Sequence, residues 1–314
     1  MFFLSVLRDL CDNFFMHNHT GVILIALGGP RSLDEVGPFM TAFMGRPAPP
    51  PVVQAVTERY ELIGGKSPLP DLVQAQADAL AKQLGHGFHV YAGFRYSSPS
   101  IEAAFEKAVR EGAKTVIGLS MSPYETAVTT GVYRTAFEAL GDNTVKKIFI
   151  PSWHDNPIFI NAWQEKVNDA QKRFRETQRR YAAVIFTSHS IPQRYVTNGD
   201  PYQKQVEETA RLVAVGIDIK EWRIAWQSKG ARATEPWLEP EVEKVLDKLS
   251  AEKFGYILEA PIGFTCDHME TLYDIDIVHR KYATGLGLMF ERVSSLNTLP
   301  LFIKALADIV KKAV

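Results

Sequence analysis

The side chains best suited to chemistry in this sequence are one histidine and one acidic segment. His189 follows the apolar run Ala182–Thr187 and is flanked by two serines, with Ile191-Pro192 after them. Histidine can accept a proton near neutral pH and can also ligate iron. A structural histidine bonded to a loop carbonyl would have the same neighbours, so position alone leaves both interpretations open.

The acidic segment extends from Cys266 to Asp276 and follows another apolar run. On a helix, Asp267, Glu270 and Asp274 would share one face because they are spaced by three and four residues. Carboxylates stacked in this way near the start of a helix could bind a hard or borderline cation. Taken alone, the pattern is more typical of a solvated acidic face with Asp267 as a favourable capping charge.

Continuous apolar runs that end in turn residues indicate the strands that position these groups. Val22–Leu27 is such a run and ends in Gly28-Gly29-Pro30, which is typical of a strand buried on both faces of a parallel sheet. The further predicted strands are Val90–Phe94, Thr115–Leu119, Ala182–Thr187, Arg223–Trp226 and Tyr256–Ala260. The predicted helices are Leu72–Leu84, Ser98–Gly112 with Ser98 as its cap, Pro157 to about Arg180, Asp200–Val215 and Pro240–Leu249.

This alternation of strands and helices predicts an α/β fold in which helices cover parallel sheets. Short echoes between the halves, such as Arg95-Tyr96-Ser97 against Trp226-Gln227-Ser228, predict two Rossmann-like lobes with an active-site cleft between them. We assign residues 21–170 to the N-terminal lobe and residues 171–314 to the C-terminal lobe, which carries the histidine and the acidic helix. Ligands of open α/β sheets bind beyond the carboxyl ends of strands, so the chemistry is expected there.

Composition restricts the classes of function. The chain of 314 residues has a net charge of −1, so no overall field attracts it to nucleic acid or anionic lipid. Its two cysteines, Cys11 and Cys266, are too few to ligate an iron–sulfur cluster and indicate a reducing, cytoplasmic location. No apolar run has the ~20 residues that a membrane-spanning helix needs. Residues 1–20 are interpreted as a short leader, with Met16 as an alternative start because the first strand begins near Gly21.

Several short motifs follow one another in a specific order along the chain. In the N-terminal half they are Leu27-Gly28-Gly29-Pro30, Ile63-Gly64-Gly65-Lys66-Ser67-Pro68-Leu69 and Arg95-Tyr96-Ser97. In the C-terminal half they are Ser188–Pro192, Gly199–Tyr202, Trp226–Lys229, Pro236–Pro240 and Gly263–Asp276. Each motif is weak alone, but the ordered set resembles the ferrochelatase family from about Val22 to Ile309.

The resemblance implies a lyase of haem biosynthesis that inserts ferrous iron into a porphyrin held between the lobes. It implies that His189 and Glu270 are catalytic, and that these two residues and Asp274 are the candidate iron ligands. His189 cannot accept a proton and bind iron at once, so we assign it the proton and assign the metal relay to Glu270 and Asp274. The residues expected around the substrate are Leu27, Arg59, Tyr60, Ser67, Arg95, Tyr96 and Trp226.

The same resemblance sets expectations for partners. Porphyrin and ferrous iron are expected as substrates, with no resident cofactor and no iron–sulfur cluster. We expect a monomer with no nucleic-acid partner and at most a peripheral association with membranes.

Two positions depart from the family pattern. Val278 stands where a third carboxylate of the acidic column often occurs, so metal delivery is expected to start differently. Leu27 stands beside the metal position, where other members have tyrosine or methionine, and its side chain cannot ligate iron.

The segment Val36–Pro51 bears on the choice of porphyrin. It carries Phe39, Met40, Phe43 and Met44, four residues we call the apolar lip, where coproporphyrin enzymes carry arginines. An apolar lip suits the vinyl edges of a porphyrin, whereas propionates require cations. The sequence therefore favours protoporphyrin IX over coproporphyrin III.

Two other functions are compatible with parts of this pattern. One is insertion of cobalt or nickel into a more carboxylated tetrapyrrole, which ranks lower because only His189 stands at a suitable strand end. The other is a non-catalytic carrier of porphyrin or haem, which would need the pocket but not both His189 and Glu270.

Overall fold

The computed structural model describes residues 19–141, 144–230 and 234–314. The first 18 residues of the predicted leader, and the alternative start at Met16, lie outside the described residues. Within the described part of the chain, no helix is both long and apolar enough to cross a membrane.

The first half of the chain forms a parallel sheet surrounded by helices. Its strands are β1 (His19–Ala26), β2 (Phe88–Phe94), β3 (Ala113–Ser120) and β4 (Lys146–Ile150). Its helices are α1 (Val36–Met44), α2 (Pro50–Leu62), α3 (Leu69–Leu84), α4 (Ile101–Arg110), α5 (Thr130–Glu138) and α6 (Pro157–Gln171). β1 lies between β2 and β3, and the side chains from Val22 to Ile25 are fully buried, as a strand covered on both faces requires.

The second half repeats this arrangement. Its strands are β5 (Ala182–His189), β6 (Glu221–Gln227), β7 (Tyr256–Ala260) and β8 (Met289–Arg292). Its α-helices are α7 (Glu176–Arg179), α8 (Gln193–Thr197), α9 (Tyr202–Val215), α10 (Val242–Ala251), α11 (Arg280–Gly285) and α12 (Pro300–Lys312). A π-helix, Glu270–His279, directly precedes α11 and contains most of the acidic segment.

The two sheets have the same strand order, β2-β1-β3-β4 and β6-β5-β7-β8, and every pairing is parallel. The carboxyl ends of all strands in a sheet therefore lie along one edge. The predicted α/β fold with two Rossmann-like lobes is confirmed, and the repeated strand order accounts for the sequence echoes between the halves.

The last helix crosses from one lobe to the other. α12 packs against α3 and α6, which belong to the first half of the chain. Phe302 of α12 is fully buried and its ring lies 6.0 Å from that of Trp153. The lobe boundaries predicted from the sequence stay a prediction. α12 belongs to the second half of the chain by sequence but packs against helices of the first half.

Three local features differ from the sequence expectations. The edge strands β4 and β8 were not predicted, because each is short and its side chains are only partly buried. The helix expected to extend from Pro157 to about Arg180 ends at Gln171, and the short α7 follows it. The cap of α4 is Ser100 rather than Ser98, because Ser100 Oγ accepts a hydrogen bond from the Ala103 amide at 3.0 Å.

The α4 cap gives a stability prediction. Ser100→Ala removes the acceptor for the Ala103 amide and is expected to lower the free energy of unfolding by about 1 kcal/mol. Ser98→Ala is the matched control and is expected to leave it unchanged. Urea denaturation of both variants measures this, and a larger loss for Ser98→Ala would contradict the assignment of the cap.

Candidate active site

A cavity lies where strand ends of the two sheets face each other. It has a volume of about 300 Å³ and receives residues that follow β1, β3 and β7 as well as the last residue of β5. Leu27, Met121, His189 and Gly263 are examples from these four positions. The cleft predicted between the lobes is therefore present, at the carboxyl edge where α/β sheets bind ligands.

Glycine at the end of β1 is required by the backbone. Gly28 has a φ of +93°, a conformation that residues with a Cβ rarely adopt. A Cβ at this position would lie 2.1 Å from the Ser97 hydroxyl oxygen. The turn after β1 can therefore pack closely on the segment after β2, and Leu27 is placed at the cavity wall.

His189 is the last residue of β5 and pairs in register with Gln227 of β6. Its Nδ1 lies 2.5 Å from the carbonyl oxygen of Ser190, which can only accept a hydrogen bond. Nδ1 therefore carries the proton in the neutral ring, and Nε2 retains its lone pair on the cavity side. The bond to a loop carbonyl that the structural interpretation expects is therefore present, and the same bond directs Nε2 toward Glu270. The catalytic role of His189 stays a prediction.

Glu270 is the first residue of the π-helix and lies between two imidazoles. Its Oε1 is 3.5 Å from His189 Nε2, and its Oε2 is 3.5 Å from His268 Nε2. Burial alone would raise the pKa of Glu270, but His189, His268 and Arg59 together outweigh it and lower that pKa. The carboxylate is therefore ionised at neutral pH although it is largely enclosed.

Asp274 lies one helical turn beyond Glu270 and accepts a hydrogen bond from Ser228 Oγ at 2.5 Å. Burial raises the pKa of Asp274, the nearby charge of Glu270 raises it further, and the Ser228 hydroxyl partly counteracts both. Two neighbouring carboxylates thus differ in their tendency to hold a proton, because only Glu270 lies between two imidazoles.

Asp267 does not join these two carboxylates, so the expectation of three acidic side chains on one face was wrong. The π-helix begins at Glu270, and Asp267 precedes it. Its carboxylate accepts hydrogen bonds from Arg292 and Ser295 on one oxygen and from Asn297 on the other. These partners lower the pKa of Asp267 against the effect of burial, and the residue fixes the loop before the helix.

Three expected substrate residues come from α2 and the loop that follows it. Tyr60 is buried, and its pKa is raised by burial and by the charge of Glu270, so the phenol stays protonated. The Arg59 guanidinium lies 5.2 Å from the ring centroid of Tyr273 on the π-helix. Ser67 is buried beside Gly29, where a Cβ would lie 2.5 Å from its hydroxyl oxygen. Arg59 and Tyr60 thus act on the acidic helix from the opposite lobe, whereas Ser67 lies behind Tyr60 and Gly29.

The apolar lip contacts the segment after β2. The ring of Phe43 meets that of Tyr96 edge to face at 5.4 Å, and the Arg95 guanidinium lies 5.0 Å from the centroid of the same tyrosine ring. Phe43 lines the cavity yet is 49% exposed, so it forms part of the entrance.

Trp226 lies behind the cavity wall instead of on it. It is 2% exposed, and its ring packs 5.7 Å from that of Tyr202, which does line the cavity. Trp237 lines the cavity in its place, 6.5 Å from the His189 ring. Tyr202 therefore separates Trp226 from the cavity, and the expected contact of Trp226 with the substrate stays a prediction.

Sequence reasoning missed His268, Trp237 and Tyr133 as residues of the cavity wall. His268 belongs to the acidic segment and Trp237 to the motif Pro236–Pro240, so their motifs were the available signals. Tyr133 lies on α5, a segment without any functional signal in the sequence. Among the described residues, no three ligating side chains converge tightly enough to hold a metal ion.

Comparisons with known proteins agree with this geometry. The family model for ferrochelatase matches residues 19–314. A ferrochelatase from Deinococcus radiodurans is 35% identical over 301 residues, which cover 93% of this chain and 95% of that protein. A coproporphyrin III ferrochelatase from Halalkalibacterium halodurans is 34% identical over 304 residues, which cover 93% of this chain and 96% of the relative.

Solved structures give the class of fold. The sirohydrochlorin chelatase SirB from Bacillus subtilis subspecies spizizenii, in complex with cobalt, superposes with a TM-score of 0.56 at 12% identity. That comparison covers 94% of this chain and 95% of SirB, and it defines the fold as that of a two-lobed chelatase. The family match and the relatives above 30% identity go further, and the chain belongs to the ferrochelatase family. It is a lyase of haem biosynthesis that inserts a metal ion into a tetrapyrrole.

The cavity also contains a thiol whose reactivity can be predicted. Cys266 is 4% exposed, and burial together with the charge of Asp267 raises the pKa of its thiol to about 12. At pH 8 its thiolate fraction is expected to be on the order of a thousandfold below that of an unfolded cysteine.

Iodoacetamide labelling of a Cys11→Ser variant measures this, since Cys266 is then the remaining thiol. The native protein is expected to react at least about a hundredfold more slowly than the same chain in urea. Rates within tenfold of each other would contradict the burial of this side chain.

Proposed function

We propose that the enzyme inserts ferrous iron into protoporphyrin IX, with His189 as proton acceptor and Glu270 and Asp274 as the metal relay. The observation that carries this proposal is the position of His189 Nε2, 3.5 Å from an ionised Glu270 at the wall of the cavity. An imidazole that can accept protons thus lies beside a carboxylate that can bind and transfer a cation.

The proton step follows from the tautomer of His189. Metal insertion replaces two pyrrole protons by one divalent ion, so two protons must leave the ring. Because Nδ1 donates to the Ser190 carbonyl, Nε2 can accept one pyrrole proton, release it to solvent at the cavity entrance and then accept the second. The adjacent carboxylate of Glu270 stabilises the resulting imidazolium, which keeps the acceptor effective in an enclosed site.

The metal step uses the two carboxylates on the π-helix. Carboxylate oxygens are suitable ligands for ferrous iron, and the lone pairs of Glu270 and Asp274 are available on adjacent turns. Burial and the charge of Glu270 raise the pKa of Asp274, whereas the two imidazoles lower that of Glu270, so the two carboxylates offer a cation different electrostatic surroundings on successive turns. The iron is a substrate throughout and the proposal requires no resident cofactor, consistent with two cysteines being too few for an iron–sulfur cluster.

The choice of porphyrin rests on charge at the cavity wall. Among the described residues that line the cavity there is no lysine or arginine, and most of the lining is apolar or aromatic. Coproporphyrin III carries four propionates, which would require cations or water, whereas protoporphyrin IX has two of them replaced by vinyl groups. The apolar side chain of Phe43 at the entrance also favours protoporphyrin IX. A relative from Halalkalibacterium halodurans is named for coproporphyrin III, which makes that porphyrin the alternative substrate to compare.

We further propose a monomeric cytoplasmic enzyme with at most peripheral membrane contact. The buried free thiol of Cys266 is consistent with a reducing compartment. Comparison of iron, cobalt and zinc turnover tests the alternative of a cobalt or nickel chelatase, and faster turnover of cobalt on a more carboxylated tetrapyrrole would favour that alternative.

The proton role is tested by His189→Ala under anaerobic conditions with ferrous iron. Loss of the general base is expected to lower kcat by at least about a hundredfold while the Kd for porphyrin, measured by fluorescence quenching, stays within about threefold. His154→Ala is the control, since His154 pairs with Glu208 away from the cavity, and it is expected to retain activity. Turnover at the normal rate in His189→Ala would exclude its role as base, and a wild-type protein that binds porphyrin without turnover would indicate a carrier.

The porphyrin preference is tested by parallel kcat/KM values for protoporphyrin IX and coproporphyrin III. The wild-type enzyme is expected to favour protoporphyrin IX, and Phe43→Arg is expected to shift the ratio toward coproporphyrin III by about tenfold, the value of one charge-assisted contact. Val215→Arg, at a position 77% exposed at the end of α9, controls for added charge. A wild-type preference for coproporphyrin III would overturn the assignment of substrate but not that of the reaction.

A further inference from the structure

A buried carboxylate and a buried imidazole lie beneath the acidic helix and have no part in the proton and metal steps. Glu259 is on β7 and is fully buried, and His279 ends the π-helix with 4% of its surface exposed. His279 Nδ1 lies 3.0 Å and 3.1 Å from the two oxygens of Glu259. A carboxylate ion only accepts hydrogen bonds, so Nδ1 is the donor.

Much of the packing around this pair is apolar. Ile257 on the same strand as Glu259, Phe290 on β8 and Ile275 on the π-helix belong to one buried cluster. An ion pair in such surroundings costs desolvation free energy, and an apolar pair of similar volume often serves stability equally well. Stability alone therefore does not account for a glutamate and a histidine at these two positions.

The geometry of the π-helix gives the pair a connection to the metal relay. At 100° per residue, an α-helix would place Asp274 and His279 about 140° apart around its axis. A π-helix forms i→i+5 hydrogen bonds, so its wider turn brings residues five apart close to the same face. Glu270, Asp274 and His279 therefore succeed one another along one face, with Glu259 beyond the last of them.

Charge links these positions as well. Glu259, Glu243 on α10 and Asp274 together raise the pKa of His279 against the effect of its burial. His279 in turn favours the charged form of Asp274. Val278, the residue before His279, is exposed and stands where a further carboxylate could extend the relay toward the solvent. In this chain the ionisable groups Glu270, Asp274 and His279 therefore continue to the buried Glu259 instead of to the surface.

We propose that His279 and Glu259 are positioning residues that anchor the end of the π-helix to β7 and so hold Asp274 in line with Glu270 for metal transfer. The proposal rests on the metal relay of the proposed function. The pair touches neither iron nor porphyrin, and its effect is on the affinity for the metal during turnover.

The experiment compares KM for ferrous iron with KM for porphyrin in an apolar replacement of the pair, Glu259→Leu/His279→Phe. This variant is expected to keep the thermal stability of the wild-type enzyme, to raise KM for iron at least about fivefold and to leave KM for porphyrin unchanged. His279→Ala is expected to give the same split. His279→Gln, which retains a donor for Glu259, is expected to restore most of the affinity for iron.

The matched control is His154→Gln, at a histidine–glutamate pair 3.2 Å apart on another surface, and it is expected to change neither KM. An unchanged KM for iron in the folded apolar variant would overturn the proposal. If that variant does not fold, equal KM values for iron in His279→Ala and His279→Gln would overturn it instead. Asp274→Asn distinguishes failure of the metal relay from failure of the positioning role. An unchanged KM for iron in Asp274→Asn would show that Asp274 does not transfer metal, and the positioning role proposed for His279 and Glu259 would then fail with it.

Discussion

The active site depends on one electrostatic constraint, which is that an enclosed carboxylate must stay ionised. Glu270 meets it because an imidazole lies beside each of its oxygens and the permanently charged Arg59 acts on it from the opposite lobe. The strands, the cavity and the π-helix can be understood as the means of bringing these groups together. β5 supplies His189 at its last residue, the loop after β7 supplies His268, and α2 supplies Arg59.

Repetition of one sheet topology makes this convergence possible. Each half of the chain places a central strand with a continuous buried apolar run between two neighbours, and candidate functional residues lie at or just after its carboxyl end. The two halves differ in the segments that come directly after this central strand. After β1 the chain makes a glycine turn at Gly28 and an apolar lip, whereas β5 ends directly in His189. One lobe thereby supplies mainly the shape of the pocket, and the other supplies most of its chemistry.

The sequence predicted the repeated α/β plan because buried parallel strands are continuous apolar runs that no other element produces in this order. It placed His189, Glu270 and Leu27 at the cavity for the same reason, since each lies in a segment that follows a strand. Side-chain direction is set by tertiary packing, and there the sequence was insufficient. Asp267 turned toward Arg292 because the helix begins three residues later than an uninterrupted spacing pattern suggests. Trp226 lies behind the cavity wall because Tyr202 packs between it and the cavity, and Trp237, which had no predicted role, lines the cavity.

The π-helix is the element least accessible to sequence reasoning. Its residues are spaced as on an ordinary amphipathic helix, and only the packed structure distinguishes the two forms. The buried partner of His279 is Glu259, a single acidic residue inside an otherwise apolar strand. A local hydrophobic pattern identifies the strand but gives no indication that this residue has a buried partner.

The packing of α12 has a consequence for how the protein is made. The apolar faces of α3 and α6 are covered by the last helix of the chain, although both belong to the half that leaves the ribosome first. During synthesis these faces remain uncovered until α12 has left the ribosome, and exposed apolar surface of this kind makes a growing chain prone to aggregate. Completion of the amino-terminal lobe therefore waits for α12, and a chain truncated before α12 leaves that lobe without one of its walls.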